Sequence, residues 1–321
     1  MSKHSVSVVI PTYNRARFLH EAVDSCLAQD GVDVEVILVD DGSTDDTAAA
    51  VQKRYADEPR LRYIVQENGG APKARNRGIA EARHDWVAFL DSDDVWLPGK
   101  LATQLDEFAR HPDAVSHLGN VSVSRPGVEE TDLVSLRGIG EMFSGDSAVF
   151  IKKPLTFNVR HNFGRLQTLV ARRDVLNRIG GFDEEMRFFQ DSDLMNRLTL
   201  EGPWLVSPRL MANEIRREEE GDIGIGAQRA KKMYAGYADL AKQMVGLLET
   251  HDATLSDAER QVIREKMSQY ALMATTGMIR ANQTGMARDI LKRTRPGIPS
   301  FKRRLLGLLL TVPPLARALV R

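Results

Sequence analysis

Residues 6–29 read VSVVIPTYNRARFLHEAVDSCLAQ. Val6 to Ile10 form a short apolar run, the mark of a buried strand, and Pro11 ends it. Phe18, Leu19, Ala22, Val23, Cys26 and Leu27 then recur at helical spacing. The same alternation continues downstream. Residues 34–39 (VEVILV) form a second strand, followed by the turn chemistry of Asp40-Asp41-Gly42-Ser43 and a helix-like stretch from Thr44 to Tyr55. Leu61 to Val65 is a third strand, Ala71 to Ala82 is helical, and Trp86 to Leu90 is a fourth strand. Pro98 suits the first turn of a helix reaching Arg110. Strands alternating with helices of this length predict parallel βαβ units.

Beyond this the pattern weakens. Residues 111–165 are rich in Gly, Ser and charge and carry little periodicity. Residues 166–171 read as a strand, and Asp174 to Ile179 as a short helix closed by Gly180-Gly181. Asp191 to Leu200 resumes a helical pattern, and residues 227–294 are mostly helical and contain no proline. The expected organisation is a catalytic domain over 1–220, with a nucleotide-binding half (1–110) and an acceptor half (111–220), then a helical extension over 221–321.

Composition bounds the function. The chain has 321 residues, 42% hydrophobic and 27% charged, enough to bury a sizeable core. Lys+Arg and Asp+Glu are both 44, a balance that argues against a nucleic-acid binder. The charge is uneven, however. After Asp289 there is no acid, whereas Lys292, Arg293, Arg295, Lys302, Arg303, Arg304, Arg317 and Arg321 are basic, so the tail carries +8 and the rest −8. Cys26 is the only cysteine, which excludes an intramolecular disulfide and fits a cytoplasmic protein. No apolar stretch follows Met1, so no secretory signal is expected, and no run of 18 apolar residues predicts a spanning helix.

In sheets of parallel βαβ units, ligands bind beyond the carboxyl ends of the strands. The polar clusters Pro11–Asn14, Asp40–Ser43 and Asp91–Asp94 each follow an apolar strand, and their convergence predicts the active site. Asp91-Ser92-Asp93-Asp94 sets three carboxylates side by side, a hard oxygen donor set suited to Mg²⁺ or Mn²⁺. Such an ion bridges carboxylate to diphosphate. Helix capping before Pro98 competes as an explanation. Asp40 and Asp41 suit either a turn or a hydrogen bond to a base or ribose. Tyr13 suits stacking on a nucleobase, or is an ordinary loop aromatic. Lys73, Arg75 and Arg77 suit phosphate contact or a solvated helix face. Asp191, opening a helix after the Gly180–Glu184 turn, suits a general base or an N-cap. There is no P-loop and no HExxH; Gly224-Ile225-Gly226 lacks a preceding strand and a third glycine, and the seven histidines show no metal spacing.

Five stretches together resemble the inverting glycosyltransferases of family 2: 6–29, VEVILVDDGSTDDT (34–47), ENGGAPKARNRGIAEA (67–82), WVAFLDSDDVWLPGKLATQL (86–105) and GGFDEEMRFFQDSDLMNRL (180–198). The resemblance covers about residues 5–220. It implies a GT-A fold, an α/β architecture with a Rossmann-like mixed central sheet flanked by helices. It implies that Tyr13 and Asp41, with Pro11 beside them, hold the nucleobase, commonly uracil, and that Arg75 approaches the diphosphate or the base. Asp91, Ser92 and Asp93 then form the DxD motif, with Asp93 the more direct ligand of Mn²⁺ or Mg²⁺, and Asp191 the catalytic base. Two departures stand out. Gln190-Asp191 replaces the family's usual Glu-Asp, and Glu218 stands where an Arg-x-His segment usually places a histidine near the metal.

The implied reaction moves a sugar from a nucleotide-sugar donor, UDP-linked, to a glycan or lipid-linked acceptor. The rivals are a nucleotidyltransferase, whose Gly-rich basic loop Pro11–Arg17 lacks, and a non-catalytic nucleotide-sugar-binding protein. In the tail, Arg303 and Arg304 precede the apolar Leu305, Leu306 and Leu308–Leu310, and Pro313-Pro314 follows. This pattern over 292–321 predicts peripheral contact with an anionic membrane surface. Packing on the catalytic domain, or on another subunit in a homo-oligomer, is the alternative.

Overall fold

The computed structural model describes residues 4–125, 128–215 and 222–294; Glu218 and the tail beyond Thr294 lie outside the described residues. The chain forms two compact units, one of Met1–Pro154, His161–Glu184 and Leu194–Arg217, the other of Leu155–Arg160, Glu185–Asp193 and Glu218–Arg321.

The strands of the first unit are β1 (Ser5–Thr12), β2 (Asp33–Asp40), β3 (Leu61–Val65), β4 (Trp86–Phe89), β5 (Val95–Trp96), β6 (Ser116–Arg125), β7 (Val128–Asp132), β8 (Val149–Ile151), β9 (Val170–Arg172) and β10 (Trp204–Ile215). The helices of the chain are α1 (Leu19–Leu27), α2 (Thr47–Tyr55), α3 (Ala71–Glu81), α4 (Lys100–Arg110), α5 (Leu133–Arg137), α6 (Leu155–His161), α7 (Arg173–Arg178), α8 (Gln190–Leu198), α9 (Asp222–His251), α10 (Asp257–Arg280) and α11 (Thr284–Arg293).

One mixed sheet runs β3-β2-β1-β4-β9-β6-β10-β5, with β7 on β6 and β8 on β10. The four strands legible as βαβ units pair in parallel, Val8 lying opposite both Val36 and Ala88. β9 then joins antiparallel to β4 and β6, which makes the sheet mixed. Strand order reverses beside β1, because β2 and β3 lie on one side and β4 on the other. A ligand crevice forms at such a switch point.

β1 is buried from Val6 to Thr12, as a strand covered on both faces must be. It runs two residues past the expected end, through Pro11, which pairs with Val39. Val9 accepts from Leu90 N, so odd-numbered residues of β1 face β4. β4 ends at Phe89, so the N–H that Pro11 lacks falls where no partner strand remains. α3 packs against β1 at Gly78, where a Cβ would come within 2.2 Å of Val9 Cγ1. Pro98 lies outside α4: Gly99, at φ +76°, caps the helix and Lys100 opens it. The unreadable stretch after residue 110 holds the long central strand β6, which pairs with β10.

The second unit packs α9, α10 and α11 around Ala238, Ala241, Ala271, Ala274, Met278, Ile279, Ala287 and Ile290. The small residues let α9 and α10 approach closely, and a Cβ on Gly277 would meet Tyr234 Cβ at 2.4 Å. α10 opens with a capping box between Ser256 and Glu259. It closes on Asn282 at φ +61°, with Gln283 N donating to Met278 O.

Candidate functional site

The carboxyl ends of β1, β2 and β4 carry the predicted residues. Tyr13 follows β1 and is 46% exposed. Asn14, at φ +52°, ties this loop to the end of β2: its N–H donates to Ser43 Oγ (2.9 Å), and its Oδ1 accepts from Thr44 N (2.8 Å).

The acids after β2 divide their work. Asp40 accepts from Ser43 N at 2.8 Å and from the Tyr63 hydroxyl, which makes it the turn acid. Asp45 accepts from Thr47 N and Oγ1 at the start of α2, and these bonds hold its carboxyl below the usual range. Asp41 is buried and organises the Gln66–Gly70 loop. It accepts from Gln66 Nε2 (2.8 Å), Gly69 N (2.9 Å) and Gly70 N (2.7 Å). A carboxylate has about four acceptor positions, so one remains for a ligand donor.

Arg75 points inward from α3, its side chain only 7% exposed. Its Nη2 donates to Asp91 Oδ1 at 2.6 Å, and its guanidinium lies 5.4 Å from the Phe182 ring centroid. The structure thus brings together two residues that the sequence placed in separate motifs. Neither Lys73 nor Arg77 joins them: Lys73 is exposed, and Arg77 pairs with Glu81 one turn along the helix.

After β4, Asp91 is half-exposed, Ser92 is buried and Asp93 is half-buried. Asp94 is buried and accepts from Gln167 Nε2, which anchors the acidic loop from below. Asp91 and Asp93 offer hard oxygen donors, the chemistry a divalent cation requires. Among the described residues no three His, Cys, Asp or Glu side chains gather as a metal cage. Mg²⁺ and Mn²⁺ commonly complete their shells with substrate phosphate and water, so two carboxylates fit such an ion in the presence of a diphosphate.

Two supporting residues escaped the sequence reading. Asn76 donates to Phe182 O (2.9 Å) and Glu184 Oε1 (2.8 Å), and its Oδ1 accepts from Phe182 N (2.7 Å). It therefore fastens α3 to the Gly180–Glu184 turn. Gln167 anchors Asp94 and, through its carbonyl, accepts from Trp96 Nε1 at 2.6 Å. An isolated Asn or Gln carries no pattern that would flag such a partner.

Asp191 belongs to the second unit, in the first turn of α8, and is half-buried. Its Oδ1 accepts from Ser192 N at 2.8 Å. Gln190 donates its amide to Met186 O at 3.1 Å, a bond an ionised glutamate has no proton to make.

The chain is similar to the succinoglycan biosynthesis protein ExoO of Rhizobium meliloti, at 34% identity over 230 residues. That match covers 68% of this chain and 62% of that protein, so the chain spans less than two thirds of its relative. It is also similar to the GalNAc(5)-diNAcBac-PP-undecaprenol beta-1,3-glucosyltransferase of Campylobacter jejuni, at 30% identity over 275 residues, 78% of this chain and 88% of that one. In fold it is similar to residues 1–349 of S. aureus TarS in complex with UDP-GlcNAc, with a TM-score of 0.68 and 22% identity, over 98% of this chain and 87% of that one. The profile of Glycosyl transferase family 2 matches residues 7–172, which include all three polar strand ends. The chain belongs to that family and has a GT-A-like fold.

Proposed function

We propose that the protein is an inverting transferase that moves a sugar from a UDP-linked donor to a hydroxyl of a glycan or lipid-linked acceptor. The observation that carries this reading is the gathering of Tyr13, Asp41 and Asp91–Asp93 at the switch point beside β1. In this reading the uracil stacks on exposed Tyr13 and donates to the remaining acceptor position of Asp41, with Pro11 fixing the strand end between them. Asp93, with Asp91 and Ser92 beside it, faces the diphosphate. Arg75 holds Asp91 in place and contributes positive charge beneath the phosphates. A divalent cation, Mn²⁺ or Mg²⁺, neutralises charge on the leaving diphosphate when bound; Glu218 is the further candidate ligand.

Asp191 takes the proton from the acceptor hydroxyl as it attacks the anomeric carbon from the face opposite the diphosphate. A single displacement of this kind turns an α-linked donor into a β-linked product. Two features of the Campylobacter relative's name support the reading, its beta-1,3 linkage and its undecaprenol pyrophosphate acceptor. The basic tail suits the same setting, an enzyme held at an anionic membrane face.

Asp191→Asn tests the assignment. The expected outcome is a loss of turnover of ~10²–10⁴-fold, the usual contribution of a general base, with unchanged UDP affinity by calorimetry. Full turnover in that variant would remove Asp191 from the role.

A further inference from the structure

Phe189 adopts φ +59°. A bulky aromatic residue avoids this region and stays there only where surrounding contacts hold it. It stands two residues before Asp191, and its carbonyl accepts from Asp193 N at 3.0 Å, closing the first turn of α8. The direction of the Asp191 side chain therefore depends on what holds this turn.

What holds it comes from the helical extension. The Phe189 ring packs on Tyr237 of α9, with centroids 4.8 Å apart at 34°. Tyr237 is backed in turn by Tyr270 of α10, at 6.1 Å. Gly236 lets α9 come this close, since a Cβ there would lie 2.7 Å from Phe188 Cβ and from Phe189 Cδ2. One α-helical stretch on, Gln243 donates its amide to the main-chain carbonyl of Asp193 (3.1 Å) and to its carboxylate. Burial, then Tyr237 and the charge of Asp191, push the Tyr270 hydroxyl up to about 12.

We propose that Tyr237 and Gln243 are positioning residues, and that the helical extension sets the catalytic geometry by clamping the turn that presents Asp191. The proposal rests on the assignment of Asp191 as base. It gives the extension a part in turnover that α9, α10 and α11 would not have as a passive appendage.

The test uses full-length protein, with UDP release measured from UDP-glucose, UDP-N-acetylglucosamine and UDP-N-acetylgalactosamine in Mn²⁺. Tyr237→Ala and Gln243→Ala should each lower turnover ~10- to 100-fold, the scale of an ångström of misplacement, while UDP affinity stays at the wild-type value. Tyr237→Phe, which keeps the ring, should restore turnover. In an Asp191→Asn background, Tyr237→Ala should cause no further loss, because it acts through Asp191. Wild-type turnover in both alanine variants, with Asp191→Asn inactive, would overturn the positioning role alone. Full activity of Asp191→Asn would overturn the base assignment and this proposal with it. Hydrogen exchange gives a readout independent of activity: amides 189–194 should exchange faster in both alanine variants, and wild-type protection there would sink the proposal even if no donor were turned over.

Discussion

At the scale of single residues, the Gly180-Gly181 pair shows two different constraints under one motif. Gly180, at φ +77°, ends α7: its N–H donates to Asn177 O, and Gly181 N donates to Leu176 O. Gly181 is required by a neighbour, since a Cβ would stand 2.3 Å from Asn76 Oδ1, and its φ of +65° is also closed to most side chains. Asn76→Ala would leave the buried Phe182 N–H without its acceptor and free the turn from α3. The expected cost is ~1–3 kcal/mol of stability, the penalty for an unsatisfied buried group, with weaker donor binding because Arg75 loses the fixed position of Phe182. Urea unfolding and UDP calorimetry on the same variant check both parts. Stability equal to wild type would show that water replaces Asn76. The sequence displayed the glycines and acids plainly, because φ-permissive and charged residues are conspicuous after a strand. It did not display Asn76 or Gln167, whose partners lie 106 and 73 residues away.

At the scale of elements, α4 carries a polar stripe inward. Lys100, Gln104 and Glu107 recur at helical spacing, and all three are buried. Lys100 Nζ donates to Gln104 Oε1 (2.7 Å) and lies 4.1 Å from the centre of the Trp96 ring. Gln104 spends its two amide protons on Thr168 O (2.8 Å) and His117 Nδ1 (2.9 Å), which leaves His117 Nε2–H to donate to Glu107. The strands that build the nucleotide half were legible because strands buried on both faces are continuous apolar runs. This polar stripe was not, because its partners come from β6 and the segment before β9. Desolvation lowers the Lys100 ammonium from its ordinary value to about 7. Between pH 7 and the ordinary lysine range the unfolded chain then binds more protons than the folded one, so this group makes stability rise with pH. Cys26 acts in the opposite direction above about pH 9, because burial raises its thiol and the unfolded chain loses that proton first. Thermal melts from pH 7 to 9 should therefore show a smaller rise, or a steeper fall, in Lys100→Met than in wild type. Parallel curves for the two proteins would show that Lys100 carries no such linkage.

At the scale of the whole molecule, the chain's path matters more than its linear divisions. The segment 185–193, which carries the proposed base Asp191, belongs to the same compact unit as the helical extension, though more than 20 residues of chain separate it from α9. No local pattern encodes such a grouping; only the contacts of Phe189 and Asp193 reveal it. The extension also leads into the basic tail. Among the described residues no helix is long and apolar enough to cross a membrane. A cut after residue 295 removes Lys302, Arg303, Arg304, Arg317 and Arg321 together with the leucine run. Each basic residue near an anionic surface contributes about 1 kcal/mol at physiological salt, and the leucines add apolar burial. Full-length protein should therefore co-sediment with phosphatidylglycerol vesicles and not with phosphatidylcholine vesicles, whereas the 1–295 chain should stay in the supernatant with both. Added salt should release the full-length protein, because screening shortens the reach of the surface charge. Donor hydrolysis in solution should be the same for the two chains, since the residues proposed to hold the donor and to act as base all precede the cut. Equal sedimentation of both chains would instead assign the tail to packing on protein.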